Sequence, residues 1–159
     1  MITYNFMSGI RGLFGADTSL RHASDGAYDG ITAYGSGNFF KYGTDAGKDY
    51  VFSNPTQAMR LLLGTGDAPE SPEDYQLAEL TTDYTVLASA KTLKGEYGNG
   101  VLIYNRTIQA GESGLTVKEQ GLVVGYSGGN YLLARDVLQA PVVLQPGEKH
   151  TFTMTIGLE

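Results

Sequence analysis

From Gln76 onward, apolar segments recur at short, regular intervals, and almost every interval is closed by glycine. "YTVLASA", "VLIYNRTIQA", "LTVKEQGLVVGY", "NYLLARDVL" and "PVVL" are separated by "KGEYGNG", "GESG", "SGG" and "QPGEKH". Strands at this spacing, joined by turn-forming residues, predict an antiparallel sandwich or barrel. The closing segment "HTFTMTI" makes the period explicit. Phe152, Met154 and Ile156 share one face and Thr151, Thr153 and Thr155 the other, because successive strand side chains point to opposite sides. Burying the three apolar side chains contributes on the order of 1.5–3 kcal/mol each before entropic costs. Pro146-Gly147 supplies the preceding turn, proline pre-setting φ and glycine accepting a positive one. Pro141 lacks a ladder donor and belongs at a strand start or an edge.

Composition agrees with a β fold. The chain has 159 residues, 22 of them Gly and 11 Tyr, and Gly is a poor helix former while Tyr suits strands. That length makes one ordinary domain, or a domain with a long N-terminal extension, able to bury a core without staples. No cysteine is present, so disulfides and thiolate metal sites are excluded. The net charge of −6, with 11 Lys and Arg spread singly, argues against direct nucleic-acid binding, which needs a concentrated basic patch. No run approaches the roughly 18 apolar residues of a membrane span. The opening residues lack the basic start and apolar core of a secretory signal, so a soluble, non-exported chain with no membrane partner is expected.

The N-terminal third is less regular. "MITYNF" alternates Ile2, Tyr4 and Phe6 with small or polar residues and predicts a short strand; a helical turn near Ile10 to Phe14 is weakly supported. Tyr28 to Phe52 interleaves aromatics with Gly, Ser and Asp, as an extended arm or short strands joined by tight turns. "TQAMRLLLG" is read as a strand ending at Gly64, and "GTGDAPESPEDY" as an exposed loop. The expected organisation is an aromatic, Gly-rich arm or subdomain over residues 1–55 and a β-sandwich domain over 56–159.

Candidate chemistry is sparse. His22 and His150 stand far apart with no motif around either, and His150 borders a turn, where solvation is expected. Asp25 and Asp29 in "SDGAYDG" have the look of a calcium loop but lack its ligand spacing and terminal Glu, so two Asp-Gly turns are expected. Gly64 to Gly66, "GTG", lacks the third glycine and following helix of a dinucleotide site. Gly125 to Gly129, "GYSGG", has no strand–turn–helix setting, paired acid or histidine to make a nucleophile elbow, and reads as a hairpin tip. Glu70, Glu73 and Asp74 read as a solvated acidic loop. Arg135-Asp136, a charged pair inside an apolar strand, reads as structural pairing. No catalytic, cofactor-binding or metal-ligating residue is assigned, no cofactor is expected, and the chain is not expected to be an enzyme. Tyr34, Tyr42 and Tyr97 are the candidates for stacking on a sugar in an alternative receptor- or carbohydrate-binding reading.

Two stretches resemble a known group. "LLLGTGDAPESPEDYQL", residues 61–77, and "LTVKEQGLVVGYSGGNYLLARDVLQAPVVLQPGEKHTFTMTI", residues 115–156, are similar to small structural proteins of tailed bacteriophages. That group carries a G-[ST]-G-x-x-[AP]-x-x-x-x-D-Y-x-L loop, an E-x-G-L strand, an L-L-A-R-D-V strand and a P-G-E turn before a Thr-rich closing strand. The matching positions are Gly64, Gly66, Asp74, Tyr75, Leu77, Glu119, Gly121, Leu122, Leu132 to Val137, Pro141, Pro146, Gly147 and Glu148. Gln120 departs from the pattern, standing where the group tends to have an apolar residue. The resemblance covers about the last 100 residues and implies a virion component in head decoration, collar, tail or baseplate. Its implied partners are other copies of itself and larger capsid, neck or tail proteins, and it implies no activity. On that reading the Tyr28 to Phe52 segment is the expected arm onto a neighbouring subunit, and removing residues 1–52 is expected to abolish assembly but not folding.

Overall fold

The computed structural model describes residues 1–13, 18–21, 23–26, 28–31, 59–87, 96–98, 101–126 and 129–157. Nine strands dominate them: β1 (Thr18–Arg21), β2 (Tyr28–Ile31), β3 (Met59–Gly64), β4 (Tyr84–Val86), β5 (Glu96–Gly98), β6 (Val101–Ala110), β7 (Leu115–Tyr126), β8 (Gly129–Leu144) and β9 (Lys149–Gly157). One helix, α1 (Tyr4–Leu13), precedes them. The fold is all-β, as the strand periodicity predicts.

Two antiparallel sheets carry the core. The first has the order β3-β7-β8. In the second, β9 pairs with β6 along nine residues, from Val101↔Gly157 to Gln109↔Lys149. β4 and β5 meet the two ends of the same β6 strand. Because β9 occupies one whole edge of β6, β4 and β5 lie end to end along the other. Leu61, Leu63, Val117, Leu122, Tyr131 and Leu133 of the first sheet pack against Tyr104, Ile108, Phe152, Met154 and Ile156 of the second in one buried cluster. This is the face-to-face arrangement of a β-sandwich. Phe152, Met154 and Ile156 are buried and Thr151, Thr153 and Thr155 exposed, as the alternation requires.

The predicted turn forms at Gln145–Glu148. Glu148 N donates to the Gln145 carbonyl at 3.0 Å, and Gly147 sits at φ +74°, the conformation that favours glycine there. The two segments "NYLLARDVL" and "PVVL" are instead one strand, β8. Its register against β7 slips between Val117 and Glu119, where Val142 and Val137 are the successive partners. Pro141 falls in that irregularity, on an edge strand rather than at a strand start, so its missing donor breaks no ladder bond. The hairpin expected at "GYSGG" is present, with Tyr126 opposite Gly129.

The N-terminus departs from the predicted strand. Ile2 bridges Ala134 on β8, with Thr3 N donating to the Leu133 carbonyl at 3.0 Å, but the chain turns helical at Tyr4. Ile2 and Phe6 are four residues apart and satisfy both a strand face and a helix face, so the alternation could not separate them. Phe6 is 6% exposed and joins the sandwich core, whereas Tyr4 is 57% exposed. Asn5 extends the anchoring: its side chain donates to the Arg21 carbonyl at 2.8 Å and accepts from Arg21 N at 2.6 Å. Asp25-Gly26 lies between β1 and β2, with Gly26 at φ +71°. Asp29-Gly30, expected as a second turn, lies inside β2, paired with Leu20 and Ser19. Of the Tyr28 to Phe52 arm, only Tyr28–Ile31 lies within the described residues.

Candidate interaction site

The slip in β7 decides which side chains face outward. Before it, Leu115 and Val117 point into the core; after it, Leu122 and Val124 do, and Glu119, Gly121 and Val123 turn to the other face. Arg135, opposite Gly121 on β8, shares that outer face. There Arg135 Nε donates to Glu119 Oε2 at 2.7 Å, with Arg135 2% exposed and Glu119 0%.

The loop between β3 and β4 folds over this pair. Arg135 Nη1 donates to Asp74 Oδ2 at 2.9 Å and to the Pro69 carbonyl at 3.3 Å, and Nη2 to the Ala68 carbonyl at 2.9 Å. Glu119 accepts from Ala78 N at 3.1 Å and Glu79 N at 2.8 Å. Asp74 also accepts from Ser71 N at 2.9 Å, which tightens the Ser71–Asp74 turn. Burial pushes the Arg135 guanidinium down, but its bonds to Asp74 and Glu119 outweigh this and hold it above its ordinary value. A buried charge pair is tolerated when its remaining donors and acceptors are also satisfied, and this pair meets that condition.

Glycine makes the close approach possible. A Cβ on Gly64 would lie 2.5 Å from Glu119 Oε1 and 2.6 Å from the Glu79 carbonyl; one on Gly66 would lie 2.7 Å from Glu119 Oε1. A Cβ on Gly121 would meet Leu77 and Leu132 at 2.7 and 2.8 Å, and these two leucines form a small second core with Val123. Tyr75 lies under the Arg21 guanidinium, 4.2 Å from ring centroid to Cζ. Gly64, Gly66, Asp74, Glu119 and Arg135, far apart in sequence, thus converge on one buried staple that clamps the loop to the sheet. Gln120 faces inward instead, and its amide donates to Asp136 Oδ2 at 2.8 Å and the Thr153 carbonyl at 3.1 Å. That second bond ties the first sheet to β9, a task an apolar residue could not perform.

The acidic loop is less solvated than its composition suggests. Asp74 binds Arg135, and Glu70 accepts from Val137 N at 2.7 Å and pairs with the Met1 ammonium at 3.0 Å. Burial raises the Glu70 carboxyl, but the Val137 N–H, the ammonium and Arg135 together hold it below the usual range. Glu73 alone of the three is well exposed, at the end of a 4.0 Å contact to Arg21. Arg135 is paired as expected, though with Glu119 and Asp74 rather than its neighbour Asp136. His150 is half-buried, not fully solvated, edge-on to Phe152 with ring centroids 4.8 Å apart. Asp25 is exposed on its turn; His22, Tyr34 and Tyr42, and the side chains of Asp29 and Tyr97, lie outside the described residues. Among the described residues no cluster of three or more His, Asp or Glu could hold a metal ion, and no helix is long and apolar enough to cross a membrane.

Arg135 and Glu119 were singled out by sequence only as a charged pair and a motif letter. Their partnership depends on the β7 slip, which no local pattern announces. Fold and geometry together define an antiparallel two-sheet domain whose ionisable cluster holds a loop in place. Comparison with protein-family models, curated proteins and solved structures gives no match.

Proposed function

We propose that the chain is a structural component of a tailed-bacteriophage virion, an all-β module that self-associates and docks onto larger capsid, neck or tail proteins. The observation that carries this reading is the edge of β9. Among the described residues only β6 pairs with β9 as a strand, although the Gln120 amide caps the Thr153 carbonyl on the other edge, and the ladder runs from Lys149 to Gly157 without a register slip. From Thr151 to Gly157 the strand has no charge and no proline. Free monomers blunt such edges with lysine, proline or bulges, whereas an assembling protein leaves them open for a neighbour's strand. The phage-like motif pattern supports the same reading, since its residues serve to hold a loop rigid against the sheet. A rigid surface is what repeated subunit contacts require.

The test is quantitative mass spectrometry of purified particles of the encoding phage. Copies in ring or lattice numbers relative to the major capsid protein are expected; absence from the particle overturns the proposal. A second expected outcome concerns the edge itself. Thr155 is exposed on β9, and Thr155→Lys should abolish self-association in sedimentation velocity while leaving the melting midpoint within a degree or two, on the order of a neutral surface change.

A further inference from the structure

The outer face of the first sheet carries a second feature, on the side of the leucines rather than the staple. Leu62, Leu77, Leu80 and Val123 line a cup of 300 Å³, with Arg60 and Asn130 at its polar end. Leu80 is 54% exposed at the rim. Arg60 Nη2 donates to Asn130 Oδ1, and Ala23 N donates to the Asn130 carbonyl at 2.7 Å, fixing that end of the wall. Arg60 Nε is buried and has no hydrogen-bond partner. Among the described residues no carboxylate pairs with Arg60, although the chain has a net charge of −6.

An unpartnered guanidinium N–H cut off from water is costly, and buried donors in folded proteins are nearly always matched. Arg106 adds to the imbalance. It reaches from the inner face to the Leu61 carbonyl, and burial presses its guanidinium below the ordinary arginine value, with Tyr84 opposing this and the charge of Arg60 adding to it. Among the described residues the positive potential around Arg60 thus has no carboxylate against it. Ser24 and Gln76 also border the cup, and the remaining wall is apolar and would not retain a bare anion by itself. Its volume stands at the lower end of the roughly 300–1,000 Å³ of small-ligand pockets, which suits one apolar side chain rather than an acyl chain.

We infer that this cup is a docking socket for a residue of a partner protein that presents an apolar side chain beside a carboxylate, the carboxylate meeting Arg60 and the side chain seating on Leu62, Leu77 and Val123. Arginine is suited to this task because its planar fork binds carboxylates in a fixed geometry. The inference goes beyond the virion proposal, for the socket would serve an assembly contact or a receptor module alike.

The experiment titrates the full chain with N-acetyl-L-leucine and, separately, with N-acetyl-L-leucinamide, which has the same side chain and no carboxylate. Methyl and Arg side-chain resonances are followed by NMR. The acid is expected to shift the Leu62, Leu80 and Val123 methyls and the Arg60 guanidinium Nη resonances saturably, with an affinity about tenfold or more above that of the amide. Arg60→Gln should bring the two ligands to equal, weak binding. Equal affinities in the unmodified chain, or no saturable shift with either compound, overturn the inference; because this comparison needs no variant, it holds even if Arg60→Gln fails to fold. Neither result depends on whether the protein is found in a particle.

Discussion

Glu119→Ala is expected to destabilise the fold by roughly 3–5 kcal/mol, the cost of stranding one member of a buried ion pair. Arg135, 2% exposed, would keep Asp74 but lose the acceptor at Nε, and the Ala78 and Glu79 amides would lose theirs. Urea denaturation at neutral pH checks this directly. Glu119→Gln separates charge from shape, since an amide still offers one acceptor oxygen, and it should fall between wild type and alanine. A loss below about 1 kcal/mol for Glu119→Ala would mean that the staple is no stronger than an exposed pair. The damage should also be local at first. Hydrogen exchange at Ala78 and Glu79 is expected to accelerate beyond that of the β6–β9 ladder, because these two amides lose their acceptor while the ladder keeps its own bonds.

Phe152→Ala should cost a similar amount, about 3–5 kcal/mol, for a different reason. Phe152 is 3% exposed at the centre of β9, packed in the main core, and removing its ring leaves a cavity between the two sheets. Calorimetry or urea titration of the variant measures the loss; a cost under 1 kcal/mol would show that the sheets close over the gap. The contrast with Thr155→Lys on the same strand matters most. One substitution should weaken the fold through the buried face, the other should block association through the edge, and the two effects should not cross over.

Much of the fold was legible before any coordinates. "VLIYNRTIQA" and "LTVKEQGLVVGY" coincide with β6 and β7, because a half-buried strand must alternate and a glycine-rich turn must interrupt it. The Pro146-Gly147 turn followed from backbone sterics alone. "MITYNF" reads as a strand for an equally physical reason: Ile2 and Phe6 satisfy two periods at once, and only the β8 edge, which captures residues 1–3, selects where the helix begins. The acidic loop reads as solvated from its composition, whereas Asp74 and Glu70 find partners 61 and 67 residues away.

The sequence by itself determined the all-β class, the strands of the second half, the turns between them and the buried face of β9, since each depends on neighbours within a few residues. Tertiary structure alone decided that Glu119 and Arg135 meet, that Gly64 and Gly66 must be glycine, that β4 and β5 share one edge of β6, and that Arg60 stands at the end of an apolar cup. Those features depend on the slip in β7, which moves every later side chain to the opposite face, and on contacts made across the sheets. Local periodicity carries no record of either.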